Sequence, residues 1–125
     1  MDPAYLLDLF AQFGPLRIRR MFGMQGLFAG ERMIGFAGDD ALYLKTDEAT
    51  REAYEAEGCE PFVYRKSTGD EIAMSYYRIP DRLYDDPEEL AAWARKAEAV
   101  AAQTPTAKRK QRAALKPRTG ARVSR

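Results

Sequence analysis

Residues 19–26 read RRMFGMQG, two arginines followed by a Gly-x-x-Gly. Those residue types can hold an anion. Glycine lets backbone N–H groups converge on a phosphate, and guanidinium groups supply charge. A cradle of that kind usually opens a helix, but strand-like segments flank Gly23-Met24-Gln25-Gly26 on both sides. The nucleotide-clamping Gly-x-x-Gly of KH domains lies between helices and leans on nearby bases, whereas Met24 and Gln25 add no charge. A hairpin or bulge in which glycine takes positive φ is therefore expected. Arg17, Arg19 and Arg20 stay as candidates for anion or partner contact. The mixed charged face of a strand accounts for them equally well.

The remaining chemistry is sparse. The sequence contains no histidine, the commonest general base and metal ligand. Cys59 follows Gly58, just past an expected helix C-terminus, where the helix dipole opposes a thiolate. A structural, partly buried thiol is expected there. One cysteine without histidine also rules out the ordinary zinc patterns. Asp39-Asp40 and Asp85-Asp86 read as turn and cap residues. No residue is assigned a catalytic, cofactor-binding or metal-binding role. Phe62, Tyr64, Tyr76 and Tyr77 raise the idea of a base-stacking sheet. No RNP-like motif accompanies them, and core and strand-pair packing accounts for them better.

Charge divides the 125-residue chain in two. Its formal net charge is +1, yet residues 107–125 carry eight bases and no acid. These are Lys108, Arg109, Lys110, Arg112, Lys116, Arg118, Arg122 and Arg125. The other 106 residues hold the remaining 12 bases against all 19 acids, a net of −7. An acidic body with a basic extension points to a two-part chain, and a net negative body opposes a polyanion. The extension lacks aromatics and contains Pro117 and Gly120. It buries too little apolar area to offset its ordering entropy and is expected to be mobile. Three roles are open to it: neutralising DNA or RNA phosphates, solvating or folding back on the acidic body, or touching an anionic membrane surface. The lone cysteine and the lack of a bilayer-length apolar run or a leader point to a soluble cytoplasmic protein, and with only Leu115 and Val123 as apolar anchors in the extension no membrane partner is expected.

Elements to position these residues are easily read. Asp2-Pro3 opens a helix whose apolar positions run through Leu6, Leu9, Phe10 and Phe13 to a stop at Gly14-Pro15. Short alternating segments follow up to Lys45, broken by glycine turns. Thr46 or Asp47 caps a second helix over Ala49–Glu57, with Gly58 just beyond its end. Phe62–Arg65 and Ile72–Ile79 form two further strands. Asp86 caps the last helix, Pro87 takes its first position, and Glu89 sits at the acceptor position of a capping box. Leu90, Trp93, Ala94 and Ala97 give it a buried stripe. The expected architecture is α+β: a two-layer α-β(3)-α-β(2)-α arrangement with an antiparallel sheet covered by helices. The domain spans 1–103 and the basic tail 104–125.

Four segments carry a family resemblance: RRMFGMQGLF, ALYLKTDEATREAYEAEGCEPFVY, SYYRIP and DDPEELAAWARKA. Together they resemble the N-terminal domain of the bacterial TfoX/Sxy family, in order, over nearly all of residues 1–100. The resemblance implies the same α-β(3)-α-β(2)-α fold and no catalytic residues. Family members include regulators of natural competence that act on transcription with the cyclic-AMP receptor protein. Those regulators carry a second helical domain; only 22 residues follow position 103 here. The expectation is a small non-enzymatic regulatory protein working through protein contacts, with a transcription factor of the cyclic-AMP receptor type as a candidate partner. Its tail is a candidate site for nucleic acid. The alternative is a pure protein-interaction or homodimerisation module.

Overall fold

Asp2 accepts a hydrogen bond from the Ala4 amide at 3.2 Å, and Pro3 fills the first helical position, where a missing N–H costs nothing. The resulting helix α1, Pro3–Leu9, is shorter than the apolar spacing predicts. Phe10 to Gly14 tighten into short-range turns, with Phe13 N–H donating to Phe10 O at 2.9 Å. Leu6, Leu9 and Phe10 still reach the core. The structure is a computed structural model that describes residues 1–21, 23–65 and 67–103.

Six strands form one antiparallel sheet: β1 Arg17–Met21, β2 Met24–Ala29, β3 Arg32–Ala37, β4 Leu42–Lys45, β5 Pro61–Arg65 and β6 Glu71–Arg78. Their spatial order is β1-β2-β3-β4-β6-β5. The α+β reading holds, with four strands rather than three before the second helix. The extra strand arises because the chain reverses at Gly23 (φ +74°), pairing Met21 with Met24. Tight reversals bring β1 to β4 together as a meander, and β6 then returns beside β4.

Helix α2, Arg51–Ala56, begins later than predicted, after a helical turn held by two reciprocal bonds. Thr50 N–H donates to Asp47 Oδ1 at 2.8 Å, and Asp47 N–H donates to Thr50 Oγ1 at 2.9 Å. The Thr50 N–H bond is the chief cause that holds the Asp47 carboxyl below the ordinary carboxylate range. Past its other end, Gly58 takes φ +77°. Gly58 N–H donates to Glu55 O and Cys59 N–H to Tyr54 O, both at 3.0 Å. This is a Schellman closure, which satisfies carbonyls that the helix end would orphan. A 3-10 turn, Asp81–Asp85, leads into helix α3, Pro87–Gln103. Asp86 Oδ1 accepts from Glu89 N–H at 3.1 Å, as a cap should.

The three helices and the 3-10 turn cover one side of the sheet. Leu27, Leu42, Leu44, Tyr77 and Ile79 meet Leu6, Phe10, Tyr54, Leu83, Leu90 and Ala94 in a single core. Burying each of the leucines stabilises the fold by roughly 1.5–3 kcal/mol. One irregularity shapes this core. Leu27 pairs with Gly35 and Phe28 with Met33, so Ile34 is an extra residue bulged out of β3. The bulge turns Ile34, fully buried, toward the helices alongside Gly35.

Candidate functional site

Registers assign each strand residue to a side, because successive side chains point to opposite faces. Leu42 and Leu44 point into the helical layer, so Tyr43 and Lys45 point away from it. Their cross-strand partners follow: Tyr43 faces Phe36 and Arg78, and Lys45 faces Tyr76. On the other flank, Arg17 pairs with Phe28 and Arg19 with Gly26, both on this open side. Phe62 joins from β5, and Tyr64, two residues on, shares its side. No helix of the described residues packs there.

The open face therefore gathers an aromatic platform. The Phe36 and Tyr43 rings stack at 5.0 Å with 17° between planes. Phe62 stands edge-on to both, at 5.0 Å from Phe36 and 5.4 Å from Tyr43. Tyr76 tilts against Phe36 at 5.2 Å. Edge-to-face and offset contacts of this kind add about 0.5–1.5 kcal/mol each beyond burial. Phe36 forms the floor, 5% exposed, while Tyr43, Phe62 and Tyr76 stay half-buried around it. Burial pushes the Tyr76 phenol above its ordinary pKa.

Cations border these rings. Lys45 Nζ lies 5.0 Å from the Tyr76 ring centroid and 3.5 Å from its hydroxyl. The Arg17 guanidinium lies 5.1 Å from the Phe28 ring and donates to Gly30 O at 3.2 Å. Arg19 and Arg78 are exposed. No described strand position on this side carries a carboxylate. The acids concentrate instead around the helical layer, at Asp47, Glu52, Glu55 and Glu57 near α2 and at Asp86, Glu88 and Glu89 at the start of α3, where Arg51, Arg82, Arg95 and Lys96 also lie; Asp47 and Glu48 share a cleft with Lys45 and Tyr76. The net −7 of the body is an average over two differently charged sides. A polyanion at the sheet would meet the local field of that side, which follows local charge.

The sequence candidates scatter over this frame. Gly23-Met24-Gln25-Gly26 is the expected hairpin reversal, and its backbone N–H groups enter a ladder. Arg17 and Arg19 lie on the open face; Arg20, paired with Gln25, lies on the opposite side. Among the four aromatics singled out, Tyr77 belongs to the core and donates to Glu55 Oε2 at 2.7 Å. Phe62, Tyr64 and Tyr76 belong to the open side. Phe36 and Tyr43, the centre of the platform, were missed by sequence reasoning. The signal was there in strand alternation opposite Leu42 and Leu44. Lys108, Arg109, Lys110, Arg112, Lys116, Arg118, Arg122 and Arg125 lie outside the described residues.

A comparison with known families decides the relationship. The model of the TfoX N-terminal domain matches residues 8–101. The chain belongs to the TfoX N-terminal domain family. A relative of known sequence, the "Uncharacterized 12.7 kDa protein in trpE 5'region" of Spirochaeta aurantia, is 37% identical over 57 residues. That alignment covers 43% of this chain and 50% of the relative, so the two correspond over about half their lengths. Within the family domain the platform residues Phe36, Tyr43, Phe62 and Tyr76 all fall inside the matched span.

Two other polar features serve the scaffold. Arg82 donates to Glu57 at 2.5–2.9 Å and to Glu89 at 2.8–2.9 Å, tying the 3-10 turn to α2 and α3. Glu89 also accepts from Trp93 Nε1 at 3.1 Å. It does not close a capping box, since Asp86 N–H donates to Leu83 O instead. Cys59 is half-buried beside the core, as expected. Burial, and then the Glu57 charge, push its thiol pKa up, away from nucleophilic use. Among the described residues, no helix is long and apolar enough to cross a membrane.

Proposed function

We propose that this chain is a non-enzymatic regulatory module that works by contact, with the open sheet face as its contact surface. The observation that carries this reading is the sidedness of the domain: rings and cations on an uncovered sheet, carboxylates on the helical layer. Domains of this size ordinarily cover an apolar sheet face or keep it polar. A platform of four aromatic rings left without a helix is a surface for a partner. The family relationship supports a role in regulating transcription, competence included. It suggests a factor of the cyclic-AMP receptor type as the protein that the module meets. The acidic helical layer gives such a factor a second, separate side to engage.

Hydroxyl-radical footprinting of the full chain tests the reading. Oxidation of Tyr43, Tyr64, Met74 and Tyr76 is measured alone, with the purified receptor-type factor of the same genome, and with nucleic acid. Protection of these side chains by either addition supports the contact face. Protection confined to Trp93 and the helical layer, or none, overturns it. A second reading, self-association, draws on Val63, Tyr64 and Met74, all exposed on the β5–β6 hairpin at the sheet edge. Sedimentation of the full chain at several concentrations separates the two: a strict monomer removes the dimer.

A further inference from the structure

We infer that the open face binds single-stranded nucleic acid, with bases stacking on Tyr43, Phe62, Tyr64 and Tyr76 and phosphates meeting Arg19, Lys45 and Arg78. The inference rests on the contact-surface reading above and names its ligand. Every base has a π face, so a ring platform holds a strand without reading its sequence. The face offers the two components such a site requires. Phe36 stands 5.0–5.2 Å from Tyr43, Phe62 and Tyr76 on four adjacent strands, Arg78 and Lys45 pair with Tyr43 and Tyr76, and Arg19 lies on β1 at one edge. Six strands at about 4.8 Å spacing make a surface roughly 24 Å across, enough for several nucleotides.

Competing occupants fit less well. A duplex hides its bases and gains nothing from rings. An acidic peptide satisfies the cations but leaves the platform unused. The chain's own basic segment carries the same sign of charge as Arg17, Arg19, Lys45 and Arg78 and gains nothing from them.

The test uses the full chain and fluorescence anisotropy with short fluorescein-labelled oligo(U), oligo(dT) and a duplex of equal length. Single strands are expected to bind at low salt, about 0.05 M, more tightly than the duplex, with affinity falling steeply as salt rises. Two sets of substitutions address the face alone: the pair Arg19→Glu and Arg78→Glu, and Tyr64→Ala. All three side chains are exposed, Tyr64 at 54%, so folding is expected to survive, with circular dichroism as the check. Each set should weaken single-strand binding about tenfold. Unchanged affinity in both sets, equal or tighter duplex binding, or no binding at low salt overturns the inference. If oligonucleotides fail while the receptor-type factor still protects Tyr43 and Tyr76 from oxidation, the ligand class is wrong and the contact surface stands. If nothing protects the face, both readings fall.

Discussion

Adding one methyl at Gly35 should do more damage than its size suggests. Gly35 sits in β3 between the bulged Ile34 and the floor residue Phe36, and its φ is not positive, so space alone opposes a side chain. A Cβ there overlaps the carbonyl oxygen of Tyr43 and lies 3.1 Å from both Cα and Cδ2 of Leu44. Two of those three atoms are β4 backbone, which no rotamer change moves. Overpacking typically costs about 1–3 kcal/mol, and an immovable neighbour places Gly35→Ala at the upper end. Alanine recovers about 0.5–1 kcal/mol by restricting the unfolded chain. The net is about 2 kcal/mol, or a melting temperature lower by roughly 8–16 °C in a domain near 100 residues. Thermal melts followed by circular dichroism, with a urea titration for the free energy, give the answer. Gly26→Ala is the control. Its Cβ meets Met21 Sδ at 2.8 Å and Phe28 Cε1 at 2.9 Å, the far ends of side chains that can swing aside. It should cost under about 1 kcal/mol. A Gly35→Ala melt within about 2 °C of the parent, or a Gly26→Ala loss as large, refutes the claim that β3 and β4 approach too closely for a side chain.

Three more outcomes follow from the caps and the ion pairs. Asp86→Ala removes the acceptor at the start of α3 and should lower stability by about 1 kcal/mol in urea unfolding. Gly58→Ala forces an L side chain into φ +77° and should cost about 1–2 kcal/mol by the same measurement. The third is acid sensitivity. Arg82 holds the Glu57 and Glu89 carboxyls below their unfolded value of 4.5. A depressed carboxylate contributes above its unfolded pKa, and that contribution disappears as pH falls through the lower folded values. Arg82→Gln should therefore flatten stability against pH below about 4.5 and leave the slope near neutrality unchanged. An acid limb equally steep in the variant would count against the network.

How far the sequence reaches depends on the range of the interaction. Caps are local, and Asp2, Asp86 and Gly58 could be read as they stand. Each needs only its next few neighbours to satisfy a helix end. Glu89 shows the limit of the same logic. Its spacing fits a capping box, but Arg82 and the Trp93 indole compete for the carboxylate and win. The platform escaped because its members lie far apart along the chain. Phe36 and Tyr43 come from the first meander and Phe62 and Tyr76 from the later hairpin, and only the β4–β6 pairing brings them together. The arrangement of charge was hidden for a related reason. A net value sums over the surface, whereas alternation puts Arg17, Arg19, Lys45 and Arg78 together on the open side.

The bulge at Ile34 has a bearing on how such a surface can arise and change. In an unbroken β3, Ile34 and Phe36 would share one side and Met33 would join Gly35 beneath the helices. One inserted residue shifts the parity, so the same short strand sends its isoleucine inward yet keeps Met33 and Phe36 outward. Deleting that residue would leave Met33 opposite Phe28 and Gly35 opposite Leu27 in a regular ladder, so both sides would keep their occupants while the helical layer lost one buried isoleucine. The bulge lodges an extra side chain beneath the helices without putting the rest of the strand out of phase.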